Sequence, residues 1–175
     1  ADVRRRAARD AIQVVPWNDP RFPLMLGAIA DVPPVLWYQG LLSALDAPTV
    51  AIVGSRAATA VALGTGASLG ADLAARGITV VSGLARGVDS AAHRGALETG
   101  RTVAVLGSGL DRVYPHEHPS LARQVAENGL VVSEYAPGTP NTRCGFRYST
   151  APSPARPSAA WPTASRSPAS ARPRT

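Results

Sequence analysis

The chain has 175 residues, a formal net charge of +6 and 45% hydrophobic residues, enough apolar material for one packed domain. All 18 basic residues are Arg and the one cysteine is Cys144. An intrachain disulfide framework is therefore excluded, and a reducing cytoplasm is the expected setting. No apolar run approaches membrane-spanning length, and Arg4-Arg5-Arg6 leads into Ala-Ala-Arg-Asp rather than into the apolar core of a signal peptide.

The positive charge is unevenly placed. Residues 1–148 hold 14 Arg against 12 acids, while residues 149–175 hold 4 Arg and no acid. Basicity is thus mostly a property of the tail and a weak pointer to nucleic acid for the remainder. The chain starts at Ala1 without Met, which reads as a fragment or a processed product.

In chain order, residues 1–13 predict a short basic helix. Residues 14–48 are Pro-rich, with Trp17, Phe22, Leu24, Met25, Leu36, Trp37 and Tyr38 clustered among the prolines. They read as an irregular lead-in packed on the more regular residues after it, with a short strand at Val35–Tyr38. From residue 49 a regular rhythm sets in. A strand at 49–53 precedes a helix near 58–76, where Leu63, Ala67, Ala71 and Ala74 recur at helical spacing. Gly77 ends that helix. A strand at 78–81 precedes a helix near 87–99. A strand at 102–106 precedes a loop and a helix near 117–128, and a strand at 130–133 comes last.

The strands are apolar on both faces. That pattern predicts an α/β, Rossmann-like, doubly wound fold with a mostly parallel sheet. Residues 149–175 contain six Pro and no Leu, Ile, Val or Phe, so they are expected to stay disordered. The expected organisation is a lead-in over 1–48, a Rossmann-like domain over 49–148 and a tail.

Two glycine-rich turns come directly after strands and open helices. They are Gly54-Ser55-Arg56 and Ser82-Gly83-Leu84-Ala85-Arg86-Gly87-Val88-Asp89. A strand that ends in glycine and opens a helix leaves backbone N–H groups unpaired, which suits an anion. Arg56 and Arg86 add guanidinium forks for phosphate oxygens. Asp89 and His93 stand at i and i+4. Either Asp89 caps or orients and His93 accepts a structural hydrogen bond from it, or His93 touches a base or phosphate. Gly107-Ser108-Gly109 and Tyr114 form a third loop at the same sheet edge. Tyr114 either stacks on a base or packs beside Pro115.

Other patterns do not reach the requirements of their chemistry. Gly64, Gly66 and Gly70 lie inside a helix with the wrong final spacing for a dinucleotide fingerprint, so helix packing accounts for them better. Without Lys there is no P-loop lysine. His116-Glu117-His118 has no further convincing metal ligands, no Gly-x-Ser-x-Gly elbow is present, and Cys144 reads as incidental. No catalytic residue, metal or cofactor is expected.

The ordered part resembles the DNA-processing protein A family (DprA, also called Smf). The matching blocks are Val50–Arg56, Val81–His93, Thr102–Asp111, Tyr114-Pro115 and Ser133-Glu134, preceded by Pro33–Gly40. They stand in order and correctly spaced over roughly residues 14–140. The resemblance implies an extended Rossmann-like fold that binds single-stranded DNA. It implies a non-enzymatic recombination mediator that protects incoming strands and loads the recombinase RecA during natural transformation. The chemistry of the three loops makes Gly54, Ser55, Arg56, Gly83, Arg86, Gly87, Asp89, His93, Gly107, Ser108, Gly109 and Tyr114 the candidate DNA- or phosphate-binding residues.

The family pattern continues with Phe-x-x-Arg-Asn-Arg-x-Ile-Ala-Gly and further strands. Phe146-Arg147-Tyr148 fits its start, and Ser149–Ala155 does not. A reading-frame change near residue 148 accounts for the departure. Codon remainders across Ser149/Thr150, Thr150/Ala151, Pro152/Ser153, Ser153/Pro154 and Pro154/Ala155 can encode Asn, Arg, Ile, Ala and Gly. An in-frame ordinary tail is the alternative, and the coding DNA decides between them. On the frameshift reading the last strand or strands are missing, and the homodimer known in the family is doubtful here. Two rival functions stand beside the DNA reading. One is a nucleotide enzyme like the phosphoribohydrolases, whose Pro-Gly-Gly-x-Gly-Thr loop is absent. The other is a non-functional truncated product.

Overall fold

The computed structural model describes residues 2–141. The Cys144 reading, the proposed frame change and the 149–175 tail all lie outside these residues. A basic helix α1 (Asp2–Arg9) comes first, then β1 (Gln13–Pro16), a single helical turn α2 (Leu24–Gly27), β2 (Val35–Gly40) and a 3-10 turn (Leu42–Leu45). The regular part then runs β3 (Thr49–Ala51), α3 (Ala60–Ala75), β4 (Thr79–Ser82), α4 (Val88–Thr99), β5 (Thr102–Val105), α5 (Pro119–Asn128) and β6 (Leu130–Ser133).

Six strands form one sheet in the order β1-β2-β6-β5-β4-β3. The four strands of the regular part run parallel, in register Val80↔Thr102 and Ala104↔Val131. The lead-in supplies the other two. β2 pairs antiparallel with β6, and β1 antiparallel with β2. The irregular lead-in expected from sequence therefore gains a strand, β1, that local patterning does not reveal. It is four residues long and ends in Pro16, which an edge strand tolerates because the missing N–H is not needed by a further partner.

Side chains alternate across the sheet, and the two faces are covered differently. Ala104 and Val131 point towards Leu121, Ala122 and Val125 of α5, with Ala7 and Ile12 from the N-terminal segment. Val80 points towards Ala74 of α3 and Ala92 and Ala96 of α4. The opposite face, with Val103, Leu130 and Val132, is sealed by Phe22, Leu36 and Ala44 of the lead-in. The result is an α/β, Rossmann-like, mostly parallel sheet with a layer on each side.

Helices α3 and α4 touch along their glycines. A Cβ on Gly95 or Gly70 would run into the backbone oxygen of Ala67 or Ala92 respectively, and one on Gly66 would press Val88. Gly64 faces open space. Helix packing thus explains two of the three glycines that superficially resemble a nucleotide fingerprint. None of the described helices is long and apolar enough to cross a membrane.

Candidate nucleic-acid interface

Parallel strands set their C-terminal ends along one edge, so the loops after β3, β4 and β5 converge. They enclose a cleft of about 1050 Å³. Arg56 from the first loop, Arg86 from the second and Tyr114 from the third all line it. Gly54, Gly83, Asp89, Gly107 and Ser108 complete the expected part of its wall.

Close packing holds the first two loops together. A Cβ on Gly54 would sit 2.7 Å from the Val88 side chain. Gly87 has φ +80°, and a Cβ there would strike the Ser55 carbonyl oxygen, so both the backbone conformation and the space demand glycine. Across this contact the Val88 N–H donates to the Ser55 oxygen at 3.3 Å.

Asp89 is the joint between the two turns. It is the second residue of α4, where the helix dipole favours a negative charge. Its Oδ1 accepts from the Gly54 N–H at 3.3 Å and its Oδ2 from the Gly83 N–H at 3.2 Å. The side chain is buried, with the residue 5% exposed. This corrects the expectation that both amides open onto a ligand: the chain fills that position with its own carboxylate.

The two arginines differ. Arg56 is exposed and forms no ion pair with another described residue. Arg86 is forked onto Glu117, with Nε donating to Oε1 and Nη2 donating to Oε2 at 3.0 Å. That hydrogen-bonded guanidinium holds the Glu117 carboxyl down at about 2, and the same pairing raises the Arg86 pKa.

The remaining expected residues divide between the wall and the frame behind it. Tyr114 is 43% exposed and meets His116 edge-on at 6.0 Å, so its ring is open to the cleft rather than packed in the core. Ser108 lines the cleft, and its hydroxyl donates to the Arg112 oxygen at 2.8 Å. Ser55 is not on the wall; its hydroxyl accepts the Ala57 N–H at 3.2 Å. Gly87 and Gly109 also stand behind the wall. Gly109 donates its N–H to the Thr139 oxygen at 2.9 Å and lies against Ala136.

His93 is fully enclosed and does not reach the cleft. Its Nδ1 lies 2.7 Å from Thr102 Oγ1, whose proton is committed to the Val80 oxygen at 2.8 Å. His93 must therefore donate from Nδ1, which leaves Nε2 buried without a partner among the described residues. Burial pushes its pKa down to about 4. Neither sequence reading of His93 describes this arrangement, because the Asp89 oxygens serve Gly54 and Gly83 instead.

Sequence reasoning missed two contributors. Glu117 stands in the His-Glu-His string weighed as a metal motif, with no signal of its pairing to Arg86. Asn141 lines the cleft from the segment after β6 and carries no local signature. Among the described residues no group of three or more His, Cys, Asp or Glu side chains is placed to hold a metal ion.

The profile of the DNA recombination-mediator protein A family matches residues 13–148. Protein Smf of Synechocystis is 41% identical over 134 residues, which are 74% of this chain and 34% of that protein. The X-ray structure of DNA processing protein A from Streptococcus pneumoniae superposes with a TM-score of 0.74 at 35% identity, covering 83% of this chain and 52% of that one. DNA processing protein A from Helicobacter pylori, whose structure addresses its single-stranded DNA binding mode, superposes with a TM-score of 0.67 at 30% identity over 77% of this chain and 60% of that one. The chain thus spans about a third of the curated relative and just over half of these solved structures. With the cleft, the sheet order and these matches in agreement, the chain belongs to the DNA recombination-mediator protein A family, the DprA/Smf proteins.

Proposed function

We propose that this chain grips single-stranded DNA in the cleft at the C-terminal edge of its parallel strands. One observation carries the reading: Arg56, which has no ion-pair partner among the described residues, Arg86 and the open ring of Tyr114 line one cleft from three separate loops. Arg56 and Arg86 supply phosphate contacts, and Tyr114 supplies a stacking platform that tolerates any base. Gly54, Gly83, Gly87 and Asp89 set the spacing between the two arginine-bearing turns. Gly107 and Ser108 shape the third side. Ser55, His93 and Gly109 act from behind as framework. The H. pylori relative, described for its single-stranded DNA binding, supports the ligand class.

The proposed role is that of a recombination mediator in the cytoplasm, protecting single strands and handing them to RecA, as a binding protein rather than an enzyme. The acidic side chain on the cleft wall, Asp89, is spent on two amides, and Ser108 is spent on a carbonyl. An acid–base reaction on a nucleotide finds little to work with there. RecA loading and dimerisation are what the family resemblance implies for whole proteins, of which this chain spans about a third to 60%. For this chain they are a second step, tested by RecA filament formation on DNA and by light scattering.

The deciding experiment is an anisotropy titration of an oligothymidine across salt concentrations. Each phosphate contact contributes about 0.7 to the log–log salt slope for single strands. Arg56→Ala should weaken binding about five- to tenfold and reduce that slope by about 0.7. Salt-independent binding, or unchanged affinity in Arg56→Ala, refutes the proposal.

A further inference from the structure

The Arg86–Glu117 pair bridges two of the loops that frame the cleft. Arg86 lies after β4, Glu117 precedes α5, and 31 positions separate them. The carboxylate engages Nε and Nη2 together. That is the edge of a guanidinium that a phosphate also uses, because carboxylate and phosphate offer it a similar pair of oxygens. Both side chains remain half exposed, 58% for Arg86 and 46% for Glu117. An ion pair open to water is weak and easily exchanged. Arg86 lines the cleft, whereas Glu117 is not part of its wall, and Arg56 meets no such carboxylate among the described residues.

We propose that Glu117 is a positioning residue that occupies Arg86 in place of a ligand phosphate and is displaced when a polynucleotide backbone enters the cleft. The inference rests on the single-strand reading of the cleft. It gives the two arginines different roles. Arg56 is ready to bind, and Arg86 contributes only after exchanging one anionic partner for another. The released carboxylate, held ionised at about 2 while paired, stays charged at neutral pH and offsets part of the gain. Glu117 thereby lowers affinity and disfavours weak anions that cannot match its two-point hold.

The test is a double-mutant cycle on the full chain with an oligothymidine as probe. Wild type, Glu117→Gln, Arg86→Ala and the double variant are titrated across salt, with thermal melts to confirm folding. Glu117→Gln should tighten binding about two- to fivefold and steepen the log–log salt slope by about 0.7. In the Arg86→Ala background the same change should have no effect. Equal tightening in both backgrounds overturns the proposal, since it shows only long-range charge removal. Weaker binding in Glu117→Gln also overturns it, since Glu117 then supports the bound state. Wild-type binding that Glu117→Gln leaves unchanged overturns the displacement alone. Failure of all four proteins to bind at low salt overturns the single-strand reading together with the displacement.

Discussion

Replacing Asp89 tests whether one carboxylate holds the two arginine-bearing turns together. In the native chain its oxygens accept the Gly54 and Gly83 amides at 3.3 and 3.2 Å. A hydrogen bond to a charged acceptor contributes about 1.5–3 kcal/mol. Both distances are at the long end of the normal range, and both glycines border the cleft, where water can replace the lost acceptor. These factors bring the cost of Asp89→Ala to about 2–3 kcal/mol. For a domain of this size that lowers Tm by roughly 6–12 °C. Asp89→Asn keeps one acceptor and turns an NH₂ towards the other amide, so its cost should be about 1–2 kcal/mol. Thermal melts and urea unfolding measure the losses, and amide hydrogen exchange locates them. Exchange should accelerate at Gly54 and Gly83 ahead of the strand interiors. Native protection at both glycines in Asp89→Ala, or a loss below about 0.5 kcal/mol, which is the level of an ordinary surface substitution, refutes the reasoning.

Three further outcomes are expected. His93 has a folded pKa of about 4 against 6.5 for the free group. The unfolded chain therefore binds more protons between these values, and stability is complete above pH 6.5 and falls as pH drops towards 4. The loss totals about 3 kcal/mol, and pH-dependent urea unfolding should show a flatter profile for His93→Gln. Tyr114→Ala should weaken oligothymidine binding by about 1–3 kcal/mol and Tyr114→Phe should not, because stacking needs the ring and not the hydroxyl. Gly95→Ala should destabilise by about 1–3 kcal/mol through collision with the Ala67 backbone. Gly64→Ala, facing open space in the same pair of helices, should stabilise by about 0.5–1 kcal/mol; melts of the two variants separate the cases.

The alternating rhythm from residue 49 was legible because strand and helix periodicities are local. Short apolar runs ended by glycine, with helical spacing after them, put each regular element within a few residues of its observed position. The glycine turns also announced the edge of the sheet where a cleft forms, since parallel strands necessarily bring those turns together. Partner choice was not legible. Gln13–Pro16 has too few residues to show a period, and only its pairing with β2 makes it a strand. From sequence, Asp89 read as a helix cap or as the residue that orients His93. Its hold on Gly54, 35 positions away, exists only after α4 packs against the first loop. The Glu117 fork on Arg86 likewise needs two distant loops to meet.

The amino-acid sequence by itself determined the elements, their order and the loops that carry the arginines, because neighbouring residues encode these through spacing and turn chemistry. Only the tertiary structure decided which amides are already taken, which arginine is paired with a carboxylate and which histidine is sealed away. Those outcomes depend on contacts between segments far apart in the chain, and no local pattern records them.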